Sequence, residues 1–531
     1  MSAQALDRRR FIGLAAGAAL AGTVASQWAP AEPASAKQVP TTREHHRAVV
    51  VGTGFGGAIA AYNLGRMGVE TLVLERGRRW DVNKDQDTFP RFLHPDHRVA
   101  WRSKRPVFPC SPPAYFRKYA GLVERVEGKR MDVLCGAGVG GSSLIFAGMM
   151  LKPSEELFYK VFPDEIRYRE MDSTYFPRVE QMLGISRIPD DVFEHKRYSS
   201  SQKFLKYALE AGLPADKLGN VVDWSVIRQE LNGELDSAAS VGNYLFGVNS
   251  GARNSVDRNY LRQAEANEHV TVAPLHIVTR IMMHKNRYVV YCDRIDEHTR
   301  LLERKIITCD ALFLGAGSMG TSQLLVRARA TGDLPQLDNS IGTGWGNNGN
   351  RNYSLMGVHG NTRAHQGGPP CVAITDWEDT DNPIAIEHGG APVPVNAHIM
   401  SVIAVGGIPD KRGQFLYDPK HDKVTLHWPK HADDSAEQAG LRTIRRLHDV
   451  AGGRKINHTP DGNIAYHPLG GAVMGQSCDT YGRVHGYQGL YVVDGALVPG
   501  STPGCNPSWT ISALAERCLD DILQKDLGQV F

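Results

Sequence analysis

The pattern of hydrophobic positions near the start of the chain predicts a buried strand that ends in a glycine-rich turn. Residues 48–51 are all apolar and run directly into "GTGFGG" at 52–57. A β-branched run without alternation is typical of a parallel strand that is buried on both faces. A helix with small residues on its packing side follows, Gly68 ends it, and "TLVLE" at 71–75 forms the next strand. The pattern therefore predicts a strand, a turn, a helix and a second strand.

Three glycines in this turn have the spacing of a dinucleotide-binding site. Gly52, Gly54 and Gly57 match the pattern G-x-G-x-x-G. The first allows the tight turn, the second lets a pyrophosphate approach the backbone, and the third lets the helix pack on the strand. Glu75 ends the second strand, where a carboxylate accepts hydrogen bonds from ribose hydroxyls. This pattern leaves NAD and FAD open as the cofactor.

Two later segments are again rich in glycine. Residues 133–150 include Gly138 and Gly141, which indicate backbone that lies close to a flat or phosphorylated group. This segment lacks the lysine of a P-loop, so it does not predict a nucleoside triphosphate site. Residues 311–328 repeat the order of strand, glycine turn and helix, but no acidic residue ends the unit. We interpret it as a structural unit beside the first turn.

The rest of the chain indicates two kinds of sheet. Residues 270–281 and the segment after them predict strands of a meander. Residues 490–501 predict a further buried strand that ends at Asp494 and Gly495, with a helix beginning after Pro507. Between about residues 340 and 455, short alternating stretches separated by Gly, Pro, Asn and Asp favour an antiparallel sheet.

These elements predict an α/β protein in which a discontinuous, Rossmann-like cofactor domain encloses an inserted α+β substrate domain on a mostly antiparallel sheet. We assign residues 45–88, 254–340 and 484–531 to the cofactor domain. Residues 89–253 and 341–483 form the predicted substrate domain.

Residues 1–36 have the features of an export signal. Arg8, Arg9 and Arg10 precede Phe11, a weakly apolar run follows, and "ASA" ends the segment at Ala36. The run is shorter than the roughly 20 residues that span a bilayer. Paired arginines before a weakly apolar run resemble a twin-arginine signal, so we expect cleavage after Ala36 and secretion. A basic N-terminus without a targeting role is the alternative.

Composition excludes some function classes. The 531 residues carry 60 basic and 57 acidic side chains without a dense basic stripe, so nucleic acid is not an expected partner. The eight cysteines form no CxxC pair and no zinc spacing. We expect no metal site, and we expect most cysteines to be free and buried.

Taken together, the glycine-rich segments resemble the glucose–methanol–choline (GMC) oxidoreductases, a family of flavoproteins, along nearly the whole mature chain. Within that family the chain is similar to the bacterial cholesterol oxidase branch, which "GWGNNGN" and "AHQ" at 364–366 favour. The other stretches that carry the resemblance are "GTGFGGAIAAYNLGRMGVETLVLE", "GAGVGGSSL", "LFLGAGSMGTSQLLVRARATGDLP", "YHPLGGAVMG" and "LYVVDGALVPGSTPGCNPSWTISALAER".

The resemblance implies non-covalently bound FAD as the cofactor. It places flavin contacts at Phe55, Gly56, Glu75, Gly148, Met149, Val278 and Gly495. The predicted cofactor-binding set also includes Gly52, Gly54, Gly57, Gly138, Gly141 and Asp494.

The resemblance also implies an activity and its catalytic residues. Glu387 would accept the substrate proton, His467 would bond the substrate oxygen, and Asn506 would face the flavin edge. The implied reaction is oxidation of a 3β-hydroxysteroid (cholesterol) by O2 to the ketone and H2O2. Movement of the double bond from Δ5 to Δ4 then gives cholest-4-en-3-one. A monomer that touches membrane surfaces transiently to extract sterol is expected. Without the resemblance, Asn506 before a proline equally predicts a helix cap.

Several positions differ from the cholesterol oxidase branch and keep an alternative open. Phe146 and Ala147 replace Asn-Gly, Ser142 replaces a glycine, and residues 388–390 replace a more apolar sequence. The alternative is a flavin oxidase of the same family that acts on another bulky alcohol, such as a polyketide or terpenoid. A nicotinamide-dependent dehydrogenase and a non-catalytic sterol-binding protein are the remaining hypotheses. Residues 108–121 are a candidate loop at the pocket mouth.

Overall fold

Strands and short helices alternate along the chain. The computed structural model describes residues 39–104, 107, 116–459 and 463–531, so the predicted export signal and residues 108–115 of the candidate mouth loop lie outside the described residues. The strands are β1 Thr41–Val51, β2 Thr71–Leu74, β3 Val123–Glu127, β4 Asp132–Gly136, β5 Met149–Met150, β6 Ser186–Arg187, β7 Ala215–Lys217, β8 Gly219–Asn220, β9 Val270–Ala273, β10 His276–His284, β11 Arg287–Ile295, β12 Leu301–Leu314, β13 Arg351–Met356, β14 Val372–Asp376, β15 Ile384–Gly389, β16 Ile399–Val405, β17 Gln414–Asp418, β18 Lys423–His427, β19 Arg454–Asn457, β20 Ile464–Ala465 and β21 Leu490–Val492. The helices are α1 Phe55–Arg66, α2 Glu155–Phe158, α3 Tyr168–Glu170, α4 Phe176–Leu183, α5 Asp190–Phe193, α6 Ser199–Glu210, α7 Trp224–Asn232, α8 Tyr260–Glu265, α9 Gly317–Ala330, α10 Asp434–Ala451 and α11 Pro507–Lys525.

A seven-stranded sheet contains the predicted buried strand. Its order is β10-β11-β12-β1-β2-β9, and β21 pairs with β12. The strands β1, β2, β9, β12 and β21 pair in parallel, whereas β10 and β11 add an antiparallel edge. Val49 and Val50 are fully buried, because helices cover a parallel sheet on both faces.

One predicted connection differs in the structure. β9 pairs in parallel with β2 and not with β10, so it lies outside the predicted meander. The chain turns between β9 and β10 at Leu275, which has a φ of 60°. After this left-handed turn the backbone N–H of His276 donates to the carbonyl oxygen of Glu75 at 2.8 Å, and β10 then pairs with β11.

Helix α1 begins at the glycine-rich turn, as the sequence pattern predicts. Gly52 has a φ of 96°, and a Cβ atom there would lie 2.3 Å from the carbonyl oxygen of Gly315. A side chain at this position would therefore separate the turn after β1 from the turn after β12. Helix α1 packs against α8 and α11, which places the C-terminal helix beside the first turn.

A second, six-stranded sheet has the order β19-β13-β16-β15-β14-β7, and all its pairs are antiparallel. One face packs on helices α6 and α10 through buried residues such as Ile386 and Val402. Alternate residues such as Glu387 and Ser401 point to the other face. The prediction of an α/β fold with a mixed sheet and an antiparallel sheet is confirmed; the domain boundaries stay a prediction.

Other features of the described part of the chain agree with the composition. No helix there is long and apolar enough to cross a membrane. The described cysteines are all free, and each of them except Cys135 is buried. Cys110 lies outside the described residues.

Candidate active site

A cavity of about 1250 Å³ joins the two sheets. It runs from the carboxyl ends of β1, β2 and β12 to the face of β13, β15 and β16 that α6 and α10 do not cover. Both the predicted cofactor-binding turn and the three predicted catalytic residues, Glu387, His467 and Asn506, line it. A ligand site at the carboxyl ends of parallel strands is the usual place for α/β proteins.

The structure brings nearly all the predicted site residues to this cavity. Its wall contains Gly52, Gly54, Phe55, Gly56, Glu75, Gly141, Gly148, Met149, Val278, Glu387, His467, Asp494, Gly495 and Asn506. Gly57 and Gly138 lie behind the wall. A Cβ atom on Gly57 would lie 2.1 Å from the carbonyl oxygen of Gly52, and one on Gly138 would lie 2.7 Å from the ring of Trp80. Both glycines thus allow close packing of the segments that form the wall.

The two glycine-rich segments touch at the first turn. A Cβ atom on Gly141 would lie 2.7 Å from the Cα atom of Gly54. A Cβ atom on Gly54, in contrast, would meet no atom within 4 Å. Since Gly54 lines the cavity at the start of α1, its missing side chain leaves space on the cavity side. The first N–H groups of α1 also lack partners within the helix, so this turn fits a pyrophosphate group.

Glu75 fixes the geometry of the same turn. Its Oε2 accepts hydrogen bonds from the backbone N–H and the hydroxyl of Thr53, at 3.1 and 2.6 Å. Its Oε1 accepts one from the backbone N–H of Gly77 at 2.8 Å. Burial raises the pKa of the Glu75 carboxyl, and these hydrogen bonds act in the opposite direction. The residues fit the ribose end of a dinucleotide, because Oε1 accepts only one of these hydrogen bonds and has a further lone pair to offer.

Asp494 ties the end of β21 to helix α9. Its carboxylate accepts hydrogen bonds from the backbone N–H of Gly317 and Ala496 and from the hydroxyl of Thr321. Burial raises the pKa of Asp494 to about 6. Asp494 also lines the cavity, and the hydrogen bonds from Gly317 and Thr321 hold the end of β21 to α9.

Glu387 lies in the interior, on the cavity face of β15. It is 1% exposed, and its Oε1 has no hydrogen-bond partner among the described residues. Burial raises its pKa to about 8. Carboxyl groups with such a pKa exchange protons near neutral pH, which is the property of a general acid or base.

His467 has a defined tautomer. The Oδ1 atom of Asn350 accepts the backbone N–H groups of Tyr466 and His467 at 2.9 and 3.0 Å. The amide nitrogen of Asn350 must therefore face Nδ1 of His467, 2.9 Å away, and donate to it. Burial lowers the pKa of His467 to about 4, so the ring is neutral at pH 7. Its proton is then on Nε2, which makes that atom a hydrogen-bond donor.

A buried ion pair holds the segment that carries Asn350. Arg351 donates to Asp433 at 2.8 Å and lies 3.6 Å from Glu437. Asn347 donates to the same carboxylate of Asp433 at 2.6 Å. In the sequence this segment carries only a resemblance, and nothing local in it indicates that it orients His467.

Asn506 stands at the start of α11 without capping it. Its side chain makes no cap hydrogen bond with the helix, and its amide donates to Oε2 of Glu387 at 3.2 Å. The alternative prediction of a helix cap is therefore wrong. The helix begins at Pro507 and not after it, because a proline at the first helical position loses no hydrogen bond.

Among the described residues, no group of three or more His, Cys, Asp or Glu side chains could hold a metal ion. The polar residues of the cavity instead include Glu387 and His467, which line the same cavity as the turn that fits a dinucleotide. This arrangement suits removal of a hydrogen from carbon together with a proton from oxygen, provided that a redox cofactor is bound in the turn.

Comparisons with known proteins agree on one family. The GMC oxidoreductase models match residues 48–337 and 409–515, and a C-terminal model of the same family matches residues 348–458. A cholesterol oxidase of Mycobacterium tuberculosis is 23% identical, over 88% of this chain and 89% of its own. An oxygen-dependent choline dehydrogenase of Chromohalobacter salexigens is also 23% identical, over 90% and 95%. The crystal structure of pyridoxine 4-oxidase from Mesorbium loti has a TM-score of 0.59 at 15% identity, over 90% of this chain and 99% of that chain.

Proposed function

Because the chain belongs to the GMC oxidoreductase family, we propose that it is an FAD-dependent oxidase of a bulky alcohol, of the 3β-hydroxysteroid class. The products are the 3-ketosteroid and H2O2, and the double bond then moves from Δ5 to Δ4. Support for the steroid comes from the likeness to a cholesterol oxidase along most of both chains. The size and largely apolar wall of the cavity also suit a rigid, water-insoluble body.

The residues that would hold FAD are those of the first turn and its neighbours. Gly54 leaves space for the pyrophosphate, Glu75 lies at the ribose end, and Gly148, Met149 and Gly495 line the cavity toward Glu387. When bound, FAD supplies the acceptor for the hydride and passes the electrons to O2.

The observation that carries the proposal is the pair formed by Glu387 and His467 in one cavity. Nε2 of neutral His467 is a donor and suits the oxygen of the substrate hydroxyl. In the carboxylate form of Glu387, the free Oε1 is an acceptor and suits the proton of the substrate hydroxyl. His467 therefore orients the alcohol, and Glu387 takes up the proton as the C–H bond breaks.

The same carboxyl group suits the isomerisation. A 3-keto group makes the hydrogens on C4 acidic, and a carboxylate can take one and return it to C6. The pKa of about 8 makes the proton easy to accept and easy to release near neutral pH. One residue would thus serve both steps: the proton that Glu387 takes from the alcohol would leave with the O2 that becomes H2O2, which restores the carboxylate, and the second step needs no further redox change.

The experiment is to incubate the purified protein with cholesterol and to follow H2O2 and the ultraviolet absorbance of the conjugated enone. The visible absorbance of the protein itself is recorded first, since bound flavin makes it yellow. A yellow protein that forms both products supports the proposal. A colourless protein that needs added NAD, or a yellow one that forms neither product, contradicts it.

A second candidate is an oxidase of another bulky alcohol in the same cavity. Phe146 favours it, because its ring packs edge-on against Phe55, 5.4 Å between ring centres, beside the cofactor-binding turn. The cholesterol oxidase branch has the pair Asn-Gly in place of Phe146 and Ala147, without an aromatic ring. Turnover of a polyketide or terpenoid alcohol without turnover of any sterol would favour this candidate.

We also propose that the protein is exported through the twin-arginine route as a monomer that contacts membranes transiently. The support is the sequence pattern of residues 1–36. Replacement of Arg8 and Arg9 by lysine should retain the protein in the cytoplasm, and normal export of that variant would contradict the proposal.

A further inference from the structure

One row of side chains on the cavity face of the six-stranded sheet is polar. Gly389 on β15 pairs with Ser401 on β16, and Ser401 pairs with Ser354 on β13. All three line the cavity. Paired residues of neighbouring strands point to the same face, so the two hydroxyls are adjacent. We call Tyr244, Ser401, Ser354 and His458 the hydroxyl row.

Tyr244 extends this row at Gly389. A Cβ atom on Gly389 would lie 2.8 Å from the hydroxyl oxygen of Tyr244, so this hydroxyl occupies the space that a side chain would fill. Tyr244 is 5% exposed and lines the cavity, yet its hydroxyl makes no hydrogen bond with any described residue. The hydroxyl is open to the cavity, so a group bound there can reach it, and a bound group that covers it without a hydrogen bond would cost free energy.

The other end of the row reaches the protein surface. Ser354 and Nε2 of His458 are 2.9 Å apart, and His458 is exposed. The side chain of Ser401, between the two ends, makes no hydrogen bond within the described part of the chain and is partly exposed to the cavity. The row thus presents two hydroxyls without protein partners, Tyr244 and Ser401, and one that is already bonded.

The row runs beside the proposed proton acceptor. Glu387 precedes Gly389 by two residues on β15, so both face the cavity. Strands about 4.8 Å apart with a rise of about 3.4 Å per residue place Ser401 about 8 Å and Ser354 about 12 Å from Glu387, between Cα atoms. A group bound to the row would therefore be on the order of 10 Å from the alcohol oxygen that Glu387 serves.

The wall away from this sheet is apolar. Phe92, Val99, Leu134 and Phe246 belong to one hydrophobic cluster and also line the cavity. A plain hydrocarbon body would cover the hydroxyl row without bonding to it, which leaves buried polar groups unsatisfied. A ligand with an oxygen on the side that faces the sheet would hydrogen-bond to the hydroxyl row and still pack its apolar part against the apolar wall.

We propose that the preferred substrate carries a second hydroxyl or carbonyl oxygen, and that Tyr244 and Ser401 bind it. This inference rests on the proposed function and narrows its substrate class to bulky alcohols with two oxygen functions at opposite ends of the ring system. Tyr244 and Ser401 are then residues that determine specificity and take no part in the proton transfer.

The test compares two steroids that differ in one oxygen, androst-5-en-3β-ol and androst-5-ene-3β,17β-diol. The kcat/KM of the FAD-containing enzyme is measured for each by H2O2 formation. Binding of the matching products, androst-4-en-3-one and its 17β-hydroxy derivative, is measured by the change in the visible absorbance. We expect the diol and its product to be preferred by about tenfold, because a site built for an oxygen disfavours the analogue without it.

Two variants test whether Ser401 and Tyr244 cause the preference for the diol. Ser401→Ala and Tyr244→Phe each remove one hydroxyl and keep the shape of the side chain, and each should lower the preference to below threefold. The control Ser173→Ala removes an exposed hydroxyl outside the cavity wall and should keep the tenfold preference.

Three results would decide against the inference. Equal kcat/KM values for both steroids in the unmodified enzyme overturn it and leave the proposed function standing. A preference that both variants keep overturns the assignment to Tyr244 and Ser401. If neither steroid is oxidised and neither ketone binds, the steroid proposal fails, and the inference fails with it.

Discussion

The side-chain amide of Asn506 donates a hydrogen bond to Oε2 of Glu387 at 3.2 Å, across the boundary between the last helix and the six-stranded sheet. The two residues are far apart in the chain, and the contact leaves Oε1 of Glu387 free. Burial raises the pKa of Glu387 to about 8, although the hydrogen bond from Asn506 lowers it. The carboxyl group is therefore mostly protonated at pH 7.

The oxidation should accelerate as pH rises through about 8, because only the carboxylate form of Glu387 accepts the substrate proton. In Glu387→Gln this rise should disappear, isomerisation should fall at least about 100-fold, and slower oxidation should remain. The measurement is kcat/KM against pH, with H2O2 and enone followed separately. Asn506→Leu is the companion variant. It removes the hydrogen bond that lowers the pKa of Glu387, so the rise of its oxidation rate should move to higher pH. Unchanged isomerisation in Glu387→Gln would show that another base acts.

The buried carboxyl group should also make stability depend on pH. Its folded-state pKa is raised, so the folded protein binds more protons than the unfolded chain between about pH 4.5 and 8. Stability of the unmodified protein is then lost as pH rises through this window. Glu387→Gln lacks this effect. The free energy of unfolding of the variant, relative to that of the unmodified protein, should therefore be higher at pH 9 than at pH 5 by a few kcal/mol. Urea denaturation at both pH values measures this, with the exposed Glu268→Gln as control. An equal advantage at both pH values would refute the prediction.

Asn350 should control the tautomer of His467. In Asn350→Asp the carboxylate still accepts hydrogen bonds from the two backbone N–H groups, but it faces Nδ1 with an acceptor in place of a donor, so the proton of the neutral ring moves from Nε2 to Nδ1. Loss of the donor to the substrate oxygen should lower kcat/KM by about 100-fold or more. Nitrogen NMR of the imidazole reports the tautomer directly, and Asn361→Asp on the exposed surface is the matched control. A neutral ring that keeps its proton on Nε2 in Asn350→Asp would contradict the prediction.

Two glycines in the first turn should respond differently to alanine. A Cβ atom on Gly54 meets nothing within 4 Å, whereas one on Gly56 would lie 1.8 Å from the carbonyl oxygen of Val493. Gly54→Ala should therefore fold with an unchanged Tm in the absence of cofactor but retain FAD at least about tenfold more weakly, because the methyl group enters the pyrophosphate space. Gly56→Ala should lower the yield of folded protein. Flavin absorbance per protein and the Tm distinguish the two effects; normal FAD content in Gly54→Ala would contradict the assignment.

The strand, glycine-rich turn and helix at the start of the chain could be predicted because their signals are local. The apolar run before Gly52, the glycine spacing and Glu75 all belong to one continuous segment, and each residue type has a stated steric or hydrogen-bonding reason. The antiparallel sheet could also be predicted, since alternation along each strand reports which face is covered.

Most of the contacts that tune the site could not be predicted, because they join distant segments. Nothing near Asn506 in the sequence shows that its side chain turns from α11 to Glu387. The partners of Asn350 are likewise 116 and 117 residues away. One signal was available but unused: Ser401 is a polar residue at a cavity-facing position of an otherwise apolar strand.

The turn after β1 is closed by backbone from β12 and β21, and the proton-accepting carboxyl is held by the residue that opens α11. The N-terminal and C-terminal parts of the chain must therefore pack together before the cavity beside the turn after β1 is formed. A ribosome-bound chain stalled ahead of β21 would have neither Asp494 to bridge the turns nor Asn506 to hold Glu387. On the proposed function, FAD would therefore be loaded only after β21 and α11 have been synthesised.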